Sequence, residues 1–215
     1  MTYPPHFTTR RLLPAALLAL ALGGCLMAPD DASDYPSLDQ IPMEIPPADT
    51  DLTAWQAPPQ LGDYRFQGEA TLEGQRTRIL RYSHAQNETL IDLTLFPLPG
   101  GWDTMTPTRA VAGQYGQQRQ QLIERALRHG AQEVQPMDES LVTVEGISYP
   151  VARGQLAQRY RSSTLTTLVQ LTALPPVFVL ATASVPSGHT EATEALLRDA
   201  LLAIARLNAD IIDTP

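Results

Sequence analysis

The run Val177-Phe178-Val179-Leu180-Ala181-Thr182-Ala183-Ser184-Val185 constrains this chain more than any other stretch. Val177, Val179, Ala181 and Ala183 alternate onto one face, and Phe178 and Leu180 onto the other. A strand that is apolar on both faces has to be covered on both. Two amphipathic segments can supply the covers. Pro107 to His129 reads as a helix with Thr106 as N-cap, proline at its first position and Gly130 as its stop. Its buried stripe is Val111, Tyr115, Leu122, Ile123 and Ala126, and the glutamine-rich middle, Gln114 to Gln121, is the solvated side. Thr190 to Leu207 reads as the second helix, with Glu191 and Glu194 early, Arg206 late, and Leu197, Ala200, Leu201 and Ile204 facing inward.

The rest of the pattern is strands. Tyr64, Phe66, Ala70 and Leu72 alternate with Arg65, Gln67, Glu69, Thr71 and Glu73, the period of a half-buried strand. Turns at Glu73-Gly74-Gln75 and Gln86-Asn87-Glu88 lead into Arg76 to Ser83 and Thr89 to Phe96, completing a meander. Beyond the first helix come Leu141 to Val144, a Glu145-Gly146 turn, Ile147 to Arg161, Thr164 to Ala173, a Pro175-Pro176 turn and the two-sided run. Pro150 has no N–H to give a ladder, which predicts an edge or a bulge for its strand. The fold class expected is α+β: an antiparallel sheet of about six to seven strands flanked by helices, an α/β/α sandwich.

The first 60 residues read differently. Arg10 and Arg11, an apolar run from Leu12 to Leu22, and Gly23-Gly24-Cys25 have the order of an export signal. The run is about half the ~20 residues a membrane-spanning helix needs, and it contains Pro14. Leu22-Gly23-Gly24-Cys25 resembles the bacterial lipobox, which implies cleavage before Cys25 and lipidation of its thiol, with palmitate-type chains as a permanent anchor. By the same resemblance Leu26, where inner-membrane lipoproteins often carry Asp, implies the outer membrane. Thr9-Arg10-Arg11-Leu12-Leu13 also has a faint twin-arginine look, although no cofactor motif downstream calls for that route. Ala28 to Gln60 holds seven prolines, seven acids and no arginine, the composition of an extended tether. The organisation expected is a signal peptide over 1–24, an acylated cysteine and tether over 25–60, and an α/β domain over 61–215. Trp55 stands out in the tether, either docked on the domain or offered to a partner.

The chain has 15 arginines and no lysine against 23 acids, a formal charge of −8, which argues against sequence-independent nucleic-acid binding. Its single cysteine excludes an internal disulfide and a thiolate metal cluster. Nucleophile-elbow, phosphate-loop and HExxH motifs are absent, His84, His129 and His189 sit at turns or helix ends, and Asp92 lacks an evident carboxylate partner. The expectation is therefore no enzyme, no cofactor and no metal.

Two groupings are candidate partner contacts. Arg76, Arg78 and Arg81 on one strand, with Arg153, Arg159 and Arg161 on another, either form a bidentate patch for carboxylates and phosphates or pair with nearby acids. The loop from Pro97 to Thr106 carries Trp102 and Met105 beside Gly100 and Gly101, which suits a contact surface or packing under the long helix.

The element order, and above all the stretch from Gly146-Ile147-Ser148-Tyr149-Pro150-Val151-Ala152-Arg153 through Thr182-Ala183-Ser184-Val185-Pro186 to the closing helix, resembles the PsbP-like fold. That fold is shared by a photosystem II extrinsic subunit, a Ran-binding import factor and DcrB-type bacterial lipoproteins. The resemblance implies binding and assembly rather than catalysis. The expected function is that of an outer-membrane lipoprotein that binds a periplasmic partner or assists envelope assembly, with a small-molecule or lipid binder as the alternative.

Overall fold

The computed structural model describes residues 50–72, 76–86, 89–186 and 189–212. In chain order the strands and helices are β1 (Gln60–Leu61), β2 (Tyr64–Leu72), β3 (Thr77–His84), β4 (Leu90–Pro97), α1 (Pro107–Arg128), β5 (Glu133–Val142), β6 (Val151–Arg159), β7 (Thr164–Leu174), β8 (Val177–Pro186), α2 (Thr190–Leu207) and α3 (Ala209–Ile212). All eight strands form one antiparallel sheet in the order β1-β2-β3-β4-β8-β7-β6-β5. The count exceeds the six to seven expected because the two-residue β1 pairs with β2.

β8 lies between β4 and β7, and it is covered on both sides as its composition requires. On one face Val179, Ala181 and Ala183 join Leu80, Ile91, Leu93 and Leu168 beneath Leu197, Leu201 and Ile204 of α2. On the other, Phe178 and Leu180 join Leu156, Val169 and Leu171 beneath Val111 and Tyr115 of α1. Leu197, Leu201 and Ile204 are wholly buried, so truncating any one to alanine costs about 2–5 kcal/mol. Thr106 caps α1 by accepting from the Arg109 N–H, and Gly130, at φ +94°, carries the chain out of it.

Three local departures from the sequence pattern have physical causes. The alternation expected along β2 breaks at a bulge between Phe66 and Gly68, where Gly68 takes φ +140°. Glu69 thereby joins the face of Tyr64 and Phe66, while Ala70 and Leu72 move to the other. β5 begins at Glu133, eight residues before the strand expected at Leu141. It is an edge strand carrying Pro136, three acids and a bulge at Asp138 (φ +52°), so no period of two is visible in it. Pro150 precedes β6 instead of interrupting it, and its carbonyl accepts from Thr172 Oγ1 at 3.0 Å.

The packed unit also reaches back past Leu61. Asp51 caps a 3-10 turn over Leu52–Ala54, Leu52 is buried and Trp55 is 1% exposed within the α2-side core. Of the two roles open to Trp55, the docked one is realised. Asn208, just beyond α2, clamps this strap: its Oδ1 accepts from Gln56 N at 2.6 Å and its Nδ2 donates to Gln56 O at 3.0 Å. The signal segment, Cys25, the tether over residues 28–49 and the turns at Glu73-Gly74-Gln75 and Asn87-Glu88 lie outside the described residues.

Candidate functional site

Of the two arrangements open to the arginines, pairing with nearby acids is the one seen for Arg78, Arg81, Arg153 and Arg159, and the two strands' arginines do not form one patch. β3 and β6 are separated by β4, β8 and β7, a span of about 19 Å at ~4.8 Å per strand. Arg78 and Arg81 differ in parity and point to opposite faces. Arg78 is 6% exposed and structural: its Nη1 donates to the carbonyls of Leu52 (2.7 Å) and Trp55 (2.6 Å), its Nε to Glu69 Oε2 at 3.0 Å, and its Nη2 also reaches Glu69. It is thus a strut for the strap, not a partner contact. The β2 bulge that turned Glu69 onto this face is what makes the pair possible. Arg76 sits in the turn before β3 at φ +47°. Arg153 engages Ser140 Oγ (3.0 Å) and Glu194 (3.9 Å), Arg159 pairs with Glu133 (2.8 Å), and Arg161 is exposed in the β6–β7 turn.

Arg81 is different. It lies on the α1 face and forms a two-point pair with Asp92 across the β3–β4 register, at 2.8 and 2.7 Å. Asp92, for which the sequence offered no second carboxylate, is paired with an arginine, and its hydrogen bonds hold the Arg81 guanidinium even more firmly charged than usual.

The Pro97–Thr106 loop is an ordered end wall. A 3-10 turn over Trp102–Thr104 follows Gly101, whose φ of +73° favours glycine there. Trp102 N donates to Pro99 O at 3.3 Å, Met105 N to Trp102 O at 3.0 Å and Thr104 Oγ1 to Gly101 O at 2.6 Å. Trp102 is half-buried, with its ring centroid 5.2 Å from Tyr149 and 6.1 Å from Phe178, while Met105 is 48% exposed. Trp102 packs against the α1-side core and remains partly accessible. Phe178 in turn contacts Phe96 at 5.6 Å, extending an aromatic row across the strand ends.

Between α1 and the sheet runs a cleft of about 500 Å³. It exists because α1 rests on β5, β6 and β7, leaving the same face of β3, β4 and part of β8 without a helix over it. Thr77, Ile79, Arg81, Asp92, Thr94, Phe96 and Thr182 form its floor, and Gln118, Gln121, Arg125 and Arg128 its helical wall. The sequence marked the glutamines only as a solvated face, and Arg125 and Arg128 gave no signal beyond helix-end cations; their shared cleft depends on where α1 lands.

A second cavity, of about 650 Å³, lies between the start of α2 and the ends of β2 and β3, and both His84 and His189 line it. Sequence spacing gave no hint of that proximity. His84 Nδ1 accepts from Gln86 N at 3.1 Å, and its ring stacks edge-on to Tyr64. Among the described residues no group of three or more His, Cys, Asp or Glu is placed to hold a metal ion. None of their helices is long and apolar enough to cross a membrane.

No protein-family model matches this chain, and no curated protein matches it in sequence. Among solved structures it is similar to the Ran-binding protein Mog1p of Saccharomyces cerevisiae, at 12% identity and a TM-score of 0.33 over 68% of this chain and 94% of that one. It is likewise similar to a point mutant of Mog1, at 13% identity and a TM-score of 0.33 over 66% of this chain and 93% of that one.

Proposed function

We propose that this chain is a non-enzymatic lipoprotein, anchored through Cys25 to the periplasmic face of the outer membrane, whose PsbP-like domain binds a periplasmic protein through the Trp102–Met105 end of its sheet. The anchor rests on the sequence Leu22-Gly23-Gly24-Cys25. The fold reading is supported by the element order: a meander, one long helix, four further strands and a closing helix.

The observation that carries the binding role is the placement of Trp102. A half-buried indole braced by Tyr149 and Phe178, next to an exposed methionine, is held in position before any partner arrives. Little side-chain entropy is then lost on binding, which is the condition under which aromatic residues dominate an interface.

Two linked measurements test this role. Fatty-acid labelling should mark the native chain and not Cys25→Ser, which should also leave the membrane fraction. The acylated chain purified in detergent should carry a protein in fixed stoichiometry that Trp102→Ala fails to retain. Labelling of the Cys25→Ser variant, or a bound small molecule with no protein, rejects the corresponding half of the proposal.

A further inference from the structure

The cleft beside α1 has a chemistry of its own, independent of any partner at the Trp102 end. Its volume of about 500 Å³ falls within the roughly 300–1,000 Å³ usual for small-molecule sites, yet its lining is largely polar where such sites are mostly apolar. The hydroxyls of Thr94 and Thr182 and the amides of Gln118 and Gln121 can each donate and accept, and Phe96 and Ile79 supply a limited apolar floor. A ligand matching this lining carries many hydroxyls on a compact apolar frame, as a sugar does.

The charges add a second requirement. Arg81 is already satisfied by Asp92. Arg125 and Arg128 are one turn apart on α1, exposed, and neither guanidinium forms a hydrogen bond or ion pair with any described residue. Glu124 of the same wall is engaged by Gln120 Nε2 at 3.0 Å. Two uncommitted guanidinium forks therefore overlook the cleft on a chain whose formal charge is −8. Their positions in the last turn favour the helix dipole, but that role alone would be served as well on any side of α1.

We propose that this cleft binds an acidic carbohydrate, with Arg125 and Arg128 receiving its carboxylate or phosphate and the Thr94, Thr182 and Gln121 side chains reading its hydroxyls. Arg81 and Asp92 form a fixed polar base beneath the sugar ring. Guanidinium suits either acid group, since its planar donors match carboxylate and phosphate oxygens alike.

Calorimetric titration of the full chain in detergent, at low salt, tests the proposal with four probes: digalacturonate, glucose 1-phosphate, maltose and inorganic phosphate. At least one acidic sugar should bind at least tenfold tighter than both maltose and inorganic phosphate, and weaken as salt is raised. Tighter digalacturonate binding assigns the carboxylate form, and tighter glucose 1-phosphate binding the phosphate form. Arg125→Gln/Arg128→Gln should reduce that affinity at least tenfold with the far-ultraviolet dichroism unchanged, because both side chains are exposed. Thr94→Val/Thr182→Val should weaken the acidic sugar without altering the salt dependence. The proposal is overturned if maltose or phosphate alone binds as tightly, if no acidic sugar binds, or if the arginine double variant keeps full affinity. Loss of the Trp102-dependent protein leaves this result untouched, so the two readings fail separately.

Discussion

The Tyr115 hydroxyl occupies the space in which a side chain at position 154 would begin. A Cβ built on Gly154 overlaps Tyr115 Oη and comes within 3.1 Å of Glu139 Cγ and 3.3 Å of Tyr115 Cζ. Tyr115 is fixed there by donating to Glu139 Oε1 at 3.1 Å, and Glu139 is held in turn by Arg119 Nη1 at 2.7 Å. One glycine on β6 thus sets how closely α1 approaches the sheet, and with it the width of the neighbouring cleft.

Gly154→Ala should therefore destabilise the fold by about 1–3 kcal/mol, the usual cost of overpacking. Tyr115→Phe on that background removes the closest atom and should recover part of the loss, though not all, because the Glu139 and ring-carbon contacts remain tight. Urea denaturation of the four members of the cycle measures the coupling. Purely additive effects would mean that Tyr115 is not what Gly154 accommodates.

The strap makes a second expectation. Trp55→Ala should cost about 3–5 kcal/mol, as for a fully buried aromatic. Arg78→Met leaves the Leu52 and Trp55 carbonyls without their guanidinium donor and should cost about 2–3 kcal/mol. A chain shortened to begin at Leu61 should unfold at lower urea than one that begins at Thr50. Equal midpoints for the two would show that the strap contributes nothing to the cooperative unit.

Tyr82 gives the pH dependence. Its ring is wholly buried and its hydroxyl has no hydrogen-bond partner among the described residues, so burial raises its pKa above the ordinary 10.0, while the nearby Arg78 charge lowers it less. A raised folded-state pKa makes the neutral phenol's contribution complete below pH 10 and lost as pH rises beyond it. Tyr82→Phe should be neutral at pH 7 or stabilise by up to about 1 kcal/mol, since it removes an unsatisfied buried group. The same variant should also flatten the alkaline loss of stability that thermal unfolding between pH 8 and 11 reveals. Tyr115, raised chiefly by burial and then by Glu139, leaves a residual slope. An unchanged alkaline profile in the variant would contradict this role for Tyr82.

Much of this architecture is legible in the residues because it follows from periodicity. The two-sided β8 run, the α1 stripe with its Thr106 cap, and the inward row of α2 all depend on local spacing that burial enforces. What could not be read had non-local causes. The Glu69–Arg78 pair requires a bulge that shifts register by one residue, and the edge strand β5 has little burial to impose alternation. Trp55 looks like a tether residue by composition and becomes core only because Arg78 binds its carbonyl and Asn208 clamps the adjacent Gln56 from elsewhere in the chain. The cleft was invisible for the same reason: Arg81 and Arg128 are 47 positions apart, and only the landing of α1 on β5–β7 brings them to one groove.

The binding role of the Trp102 end is tested most directly by site-specific photo-crosslinking in the intact envelope. Met105→p-benzoylphenylalanine places the probe on a residue 48% exposed beside Trp102, and Leu207→p-benzoylphenylalanine places it on one 40% exposed at the end of α2. The account predicts a discrete protein adduct from position 105 that disappears with Trp102→Ala, and none from position 207. The same adduct from both positions, or none from position 105, would contradict it.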